Sequence, residues 1–419
     1  MNWRYILYRM KRILLLVTVF LLLVVPVFAD FSDFYYNLNK LFSGFADPNT
    51  GLTAFPTLLI PMGGKYEGMG TAYTAVALDS GFLEANPSAS SSLDVTELSF
   101  YHHSWIADSN LEGVVYTARY DDLGIGVGGK FLYVPFTEYN EWGDRANRGY
   151  ISETVATFNV SYNFFSDFNF YGLGLGANLK TAYRNIPNAF YPDQSALTAM
   201  VDLGILTRFN FLKFQISRSK NFSVGAVVKN IGLPALGEPL PTLATVGFAW
   251  APIRPLTWAF DFNLPFSFSP QETPAEAWSM ATGFNVMVTN FLSLQTGFRW
   301  KADNPKISLG SSVDLEKVSF VLNYNLDLSG RVDPLDKFSL QAKLNLGDRG
   351  RGDEQRQLDG LYFEGLELYS EGDLSGAIRK WEEVLEIDPT YSPARANIET
   401  AKKALELQTE MEEQLTIGD

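Results

Sequence analysis

The sequence predicts an all-β transmembrane barrel of about 14 antiparallel strands, with a plug segment before the first strand and a small α-helical unit after the last. Three observations point to it. From about Val95 to Leu346, apolar and polar residues alternate with period two. Most of these runs reach ~10 residues or more, the length a tilted strand needs to cross a bilayer, whereas soluble strands average about 5–6. Aromatic residues make up 14% of the chain, yet mean hydropathy is -0.02. Lipid-facing apolar residues alternating with polar lumen residues give that average.

Charge and cysteine content narrow the function. The chain has no Cys, so disulfides, thiolate zinc sites and Cys nucleophiles are excluded. A net charge of -14 argues against a nucleic-acid partner, which needs a basic surface. The acidity is concentrated from Asp348 onward, where 18 acidic and 8 basic residues give -10. That reads as a separate unit.

Met1 to Ala29 reads as a secretory signal peptide. Arg4, Arg9, Lys11 and Arg12 are basic, Ile13 to Val25 is apolar, and Val27-Phe28-Ala29 is a small-residue cleavage site. Residues 30–92 are the expected plug, or hatch. Its first part, to Met62, is aromatic and irregular, with the composition of a short amphipathic helix. Gly63 to Ser90 is rich in Gly, Ala, Ser and Thr, and small residues let backbones approach closely. Gly68 to Asp79 is expected inside the barrel, and Asn86-Pro87 is expected to mark the join with the first strand.

Residues 93–347 are the expected barrel. Strands are predicted at about 95–106, 111–120, 123–135, 150–164, 168–184, 196–209, 221–230, 242–251, 255–264, 277–288, 291–301, 305–315, 317–328 and 337–346. Parity assigns faces. Tyr171, Leu173, Leu175, Ala177 and Leu179 should face outward, and Gly172, Gly174, Gly176, Asn178, Lys180 and Arg184 inward. Gly124, Gly126, Gly128 and Lys130 should also face inward. Inward glycines weaken a strand and make sense where material fills the lumen. An even strand number puts both barrel ends on one side, normally periplasmic, and the plug and the tail are expected there.

A polar linker is expected over 348–357. Residues 358–419 read as helical. LDGLYFEGLELYSEGDLSGAIRKWEEVLEIDPTYSPA resembles a tetratricopeptide repeat, matching at Leu361, Gly365, Leu368, Ala377, Trp381, Leu385 and Pro389. A capping helix is expected from about Pro393 to Leu415. One repeat alone is marginal, so a docking role for a periplasmic protein is the expectation.

No enzyme chemistry is expected. The two histidines, His102 and His103, are adjacent, so on a strand they face opposite ways. Metal-ligand spacing is absent, and no cofactor is expected. GIGVGGK at 124–130 lies on a strand and lacks the Ser or Thr of a phosphate loop. Lys130, Lys180, Arg184, Arg208, Lys229, Arg299 and Lys343 should face inward. They could receive the head of a carboxylate amphiphile or form lumen salt bridges with the plug.

Gly68-Met69-Gly70, Ala72, Ala75-Val76-Ala77, Asp79 and Asn86-Pro87-Ser88 form a pattern that resembles the hatch of the outer-membrane long-chain fatty acid transporter family (FadL-like). PorV-like outer-membrane proteins open with the same pattern. Val228-Lys229-Asn230-Ile231-Gly232 and Thr245-Val246-Gly247-Phe248 look like a second stretch shared with PorV-like relatives. The resemblance implies passive, hatch-gated uptake of long-chain fatty acids or other hydrophobic small molecules by a barrel embedded in outer-membrane lipid. Gly68, Met69, Gly70, Tyr73, Asp79, Phe82, Asn86 and Pro87 would be the hatch residues. The alternative it implies is a surface scaffold whose helical tail docks periplasmic proteins. The tail is a departure, because the archetypal transporter ends at its last strand.

Overall fold

The structure, a computed structural model, describes residue 40 and residues 42–417, except 107, 189–190, 216–218, 269–274 and 329–336. The expected signal peptide and the stretch over 30–39 lie outside the described residues.

Fourteen strands run in sequence order as antiparallel hairpins: β1 (Glu97–Ser104), β2 (Asn110–Tyr120), β3 (Leu123–Tyr139), β4 (Arg145–Phe164), β5 (Leu173–Asn185), β6 (Ala196–Phe209), β7 (Phe222–Gly232), β8 (Leu243–Trp250), β9 (Leu256–Pro265), β10 (Ser279–Thr289), β11 (Leu292–Lys301), β12 (Lys306–Leu315), β13 (Val318–Asp327) and β14 (Lys337–Asn345). β1 pairs with both β2 and β14, with Glu97 opposite Asn345 and Ser104 opposite Phe338. The sheet closes on itself and leaves no edge strand.

Alternation divides the two faces. Phe100, Val127, Phe158, Leu179, Val246 and Phe320 point outward and are exposed, while Ser99, Asn159, Asp202, Ser312, Asn323 and Gln341 point inward and are buried. A continuous apolar outer band on a closed barrel is suited to lipid, where every backbone group must be paired internally. Rings belt it at both ends. Phe209, Phe222, Phe248 and Trp258 form one run and Phe262, Trp278 and Trp300 another.

Three strand ends differ from the sequence expectation. β3 continues to Tyr139 and β4 starts at Arg145, because their ladder runs on through Pro135 opposite Tyr150 and Thr137 opposite Arg148. That extension carries Thr137, Glu138, Arg145 and Arg148, with Phe136 and Tyr139 as its only rings, so the period-two signal fades there. β5 starts at Leu173, since Gly172 at φ 101° turns the chain and Asp167 caps a tight turn by accepting from the N–H groups of Asn169 and Phe170. Tyr171, expected to face outward, precedes the strand. Its ring lies 4.7 Å from the Arg208 guanidinium, and its hydroxyl accepts from Arg208.

The barrel has two mouths. At the near mouth β1 begins and β14 ends, and the two-residue turns Asp121-Asp122, Asn290-Phe291 and Glu316-Lys317 are there. The far mouth carries the connections 186–195 and 266–278, and the near mouth also carries 165–172 and 210–221.

Beyond β14 come helices α1 (Arg351–Glu371), α2 (Leu374–Ile387) and α3 (Ser392–Ile417). The linker expected over 348–357 is shorter, because helix begins at Arg351. Asp348 is the reason: its carboxylate accepts from the N–H groups of Gly350 (3.0 Å) and Gly352 (2.9 Å) and starts the helix. Those bonds hold the Asp348 carboxyl below its ordinary value. The helices share a small core. Trp381 is fully buried, its Nε1 donates to the Tyr362 carbonyl (3.2 Å), and Gly365 leaves it room, since a Cβ there would meet Nε1 at 2.4 Å. Ala377 is buried, Leu361, Leu368 and Leu385 pack on the same core, and Pro389 follows the end of α2.

The helices dock on the near mouth. Arg351 donates to the carbonyls of Leu93 (3.3 Å), Asp94 (2.6 Å) and Arg119 (3.2 Å). Phe168, in the β4–β5 connection, meets Tyr391 at 4.7 Å between ring centres.

Candidate functional site

The lumen is filled by the chain's own residues 54–93. The segment enters beside the far mouth, where Ala54 donates to the Pro239 carbonyl (2.9 Å), and leaves at the near mouth through Leu93. Two sequence expectations change here. The segment does not belong to the near side alone; it runs the length of the lumen. Strand parity fixes where β1 and β14 end, and ~40 preceding residues are ample to span a bilayer. Asn86-Pro87 is not the join with β1, because a further helical turn, Pro87–Ser92, stays inside before β1 starts at Glu97.

Inward glycines admit this backbone. A Cβ on Gly297 would lie 2.0 Å from the Gly70 nitrogen, and one on Gly176 2.3 Å from the Pro87 carbonyl oxygen. Met69 is buried with its backbone against Gly283, and Gly68 abuts Asn323 and Gln295. Phe82 is buried against Gly126.

Buried polar groups then latch the segment. Asp261 on β9 accepts from the N–H groups of Tyr73 (3.0 Å) and Thr74 (2.9 Å). The Tyr73 hydroxyl donates to Asp79 (3.0 Å). Asn86 Nδ2 donates to the carbonyls of Thr74 (2.9 Å) and Ile205 (3.0 Å), tying segment to wall. Glu67 accepts from Asn325 Nδ2 (2.7 Å) and from the Ser339 hydroxyl, with His103 Nε2 at 3.4 Å. His103 is fully buried and its Nδ1 faces the Pro61 carbonyl (2.9 Å), whereas His102 is exposed on the other face beside Glu112.

The inward cations are mostly partnered. Lys130 bonds Glu84 (2.6 Å) and the Ile60 carbonyl (2.7 Å). Lys180 pairs with Asp202 (2.6 Å), Arg184 with Glu153 (2.7 Å) and Lys343 with Glu97 (3.3 Å). Arg208 reaches Ser92 as well as Tyr171, and Lys229 donates to the Glu84 carbonyl (3.2 Å). Arg299 Nε is buried without a hydrogen-bond partner among the described residues. The sequence reading missed Glu84, Glu153, Asp202 and Asp261. The inward parity of Glu153, Asp202 and Asp261 was available; their pairing depends on strand register, and that of Glu84 on the path of residues 54–93.

Three small cavities of about 40, 30 and 50 Å³ surround Leu59, each large enough for a few waters. The first is lined on the inner segment by Leu58, Leu59, Ile60, Met62 and Leu83 together with Glu84, and on the wall by Lys130, Lys180 and Lys229 together with Val155 and Asn230. The second and third share Arg299. Among the described residues, no group of three or more His, Cys, Asp or Glu side chains could hold a metal ion.

A closed antiparallel barrel with an apolar outer face defines a transmembrane β-barrel of the outer-membrane type, here with its lumen filled by its own chain. The chain belongs to UPF0164, an uncharacterised protein family whose pattern matches residues 39–349. It is 28% identical over 380 residues to a UPF0164 protein of Treponema pallidum (strain Nichols), covering 87% of this chain and 86% of that one. A second UPF0164 protein of that organism is 24% identical over 387 residues, covering 84% and 75%. Among solved structures it is similar to the CymD monoaromatic hydrocarbon channel (TM-score 0.49, 13% identity, 72% of this chain and 99% of that one) and the Pseudomonas putida toluene transporter TodX (TM-score 0.46, 13% identity, 68% and 97%).

Proposed function

We propose that the protein is an outer-membrane transporter for the passive uptake of long-chain fatty acids or other hydrophobic small molecules. The part of the expected 30–92 hatch that fills the lumen, residues 54–92, is its gate, and its three helices form a tetratricopeptide-like docking module in the periplasm. The observation that carries this reading is the lining beside Leu59, where Leu58, Leu59, Ile60, Met62 and Leu83 of the inner segment face Lys130, Lys180 and Lys229 of the wall, with Glu84 already on Lys130 and Asp202 on Lys180. An amphiphile with its anionic head at Lys229, which bonds the Glu84 carbonyl rather than a carboxylate, and its apolar part on the leucines matches that lining. Cavities of only a few waters' volume do not pass such a molecule, so passage needs the inner segment to shift. The hatch pattern around Gly68-Met69-Gly70 and Asn86-Pro87 supports the same reading.

The test is uptake of labelled oleate by liposomes carrying the purified full chain. Saturable uptake is expected, together with lipid retained after mild detergent extraction. Absence of both would sink the transporter reading. For the helical module, the full chain and a chain ending at Leu346 are compared for co-purifying periplasmic proteins; identical partners in both would remove the docking role.

A further inference from the structure

The route of residues 42–54 places Phe42 and the three helices at opposite mouths of the barrel. Trp300 is on the outward face of β11 at the far rim. Its ring meets Phe42 (6.0 Å) and Phe45 (5.4 Å) edge-on and then Trp278 (5.5 Å), which stacks on Phe262 (5.7 Å). Phe42 and Phe45 therefore lie against the outside of the wall, within an aromatic belt of the kind found where barrels meet the lipid headgroups. The next residues cross the rim. Ala277 N–H donates to Asp47 (2.7 Å), Asn49 Nδ2 donates to the Ala275 carbonyl (3.0 Å), and Gly51 N–H donates to Glu276 (3.0 Å). By Phe55 the chain is inside, with that ring fully buried 5.1 Å from the Arg184 guanidinium.

We propose that residues 42–53 form a strap hooked over the far rim, exposed on the side of the membrane away from the three helices, with Phe42 and Phe45 seated in the lipid interface of that side. The proposal rests on the outer-membrane reading. Lipid is the occupant the geometry favours, since Phe45 is 54% exposed and continues a ring belt that faces the bilayer. The strap holds the inner segment at the far mouth as Arg351 holds Leu93 and Asp94 at the near one. With both ends held, the segment opens in place, because leaving as a body would drag residues 42–53 through the lumen.

The absence of Cys makes the test direct. Single-cysteine full chains carry Gly44→Cys or Leu52→Cys in the strap, Trp142→Cys in a far loop, or Gly360→Cys on α1. All four positions are exposed, and a Cβ at Gly44 or Gly360 meets nothing within 4 Å. Intact cells are treated with a membrane-impermeant maleimide. The strap and Trp142→Cys chains are expected to be labelled before permeabilisation, and Gly360→Cys only after it. Strap positions that behave like Gly360→Cys overturn the proposal. Trp142→Cys and Gly360→Cys behaving alike instead overturns the membrane-barrel reading beneath it. In reconstituted vesicles, a fluorophore on Phe45→Cys is expected to be quenched by spin-labelled lipid; quenching by aqueous iodide alone overturns the lipid contact.

Discussion

Gly297 and Gly70 touch so closely that neither has room for a methyl group. Gly297→Val is expected to cost ~1–3 kcal/mol, as overpacked cores do, and to lower the temperature at which the purified barrel loses its compact gel migration. Gly44→Ala, in open space, should leave that temperature unchanged. Glu67 is buried and accepts from Asn325 Nδ2 and the Ser339 hydroxyl. Glu67→Leu leaves those donors without their acceptor, at about 1–3 kcal/mol each, and should lower the same temperature; an unchanged temperature would mean that Asn325 and Ser339 find other acceptors.

At the scale of elements, Trp381 ties α1 to α2, and Trp381→Ala is expected to cost ~3–5 kcal/mol. Helical circular dichroism should fall while the barrel keeps its compact migration. Phe168→Ala removes one ring pair, worth ~0.5–1.5 kcal/mol beyond buried area, and should speed proteolysis at residues 348–350. The strands were legible because period-two alternation is local and fourteen long runs repeat it. The outer ends of β3 and β4, residues 136–139 and 145–149, were not, since that end of the hairpin stands in water and alternation has little to sort. The first turns of α1 read as a linker because Asp353 to Gln357 are polar and exposed; only the Asp348 cap reveals the helix. Lys180 and Arg184 were legible as inward cations. Their neutralisation by Asp202 and Glu153 was not, because register brings those carboxylates alongside.

At the scale of the molecule, the wall and the inner segment form one polar network, with Asp261 near its middle. Asp261→Ala leaves the Tyr73 and Thr74 N–H groups without their acceptor, at about 1–3 kcal/mol each if they stay buried. Leakage of small solutes through reconstituted vesicles is expected to rise; leakage equal to the unaltered chain would mean that the glycine contacts alone seal the lumen. The β3–β4 hairpin has a different consequence. Its strands have 17 and 20 residues, against the ~10 that a bilayer requires. At ~3.4 Å per residue, the surplus stands roughly 20 Å clear of the rim, with Trp142 at its tip 86% exposed. A short epitope spliced beside Trp142 would be carried beyond the lipid headgroups on a rigid mast. An antibody against it would report, on a living cell, which way the far mouth looks.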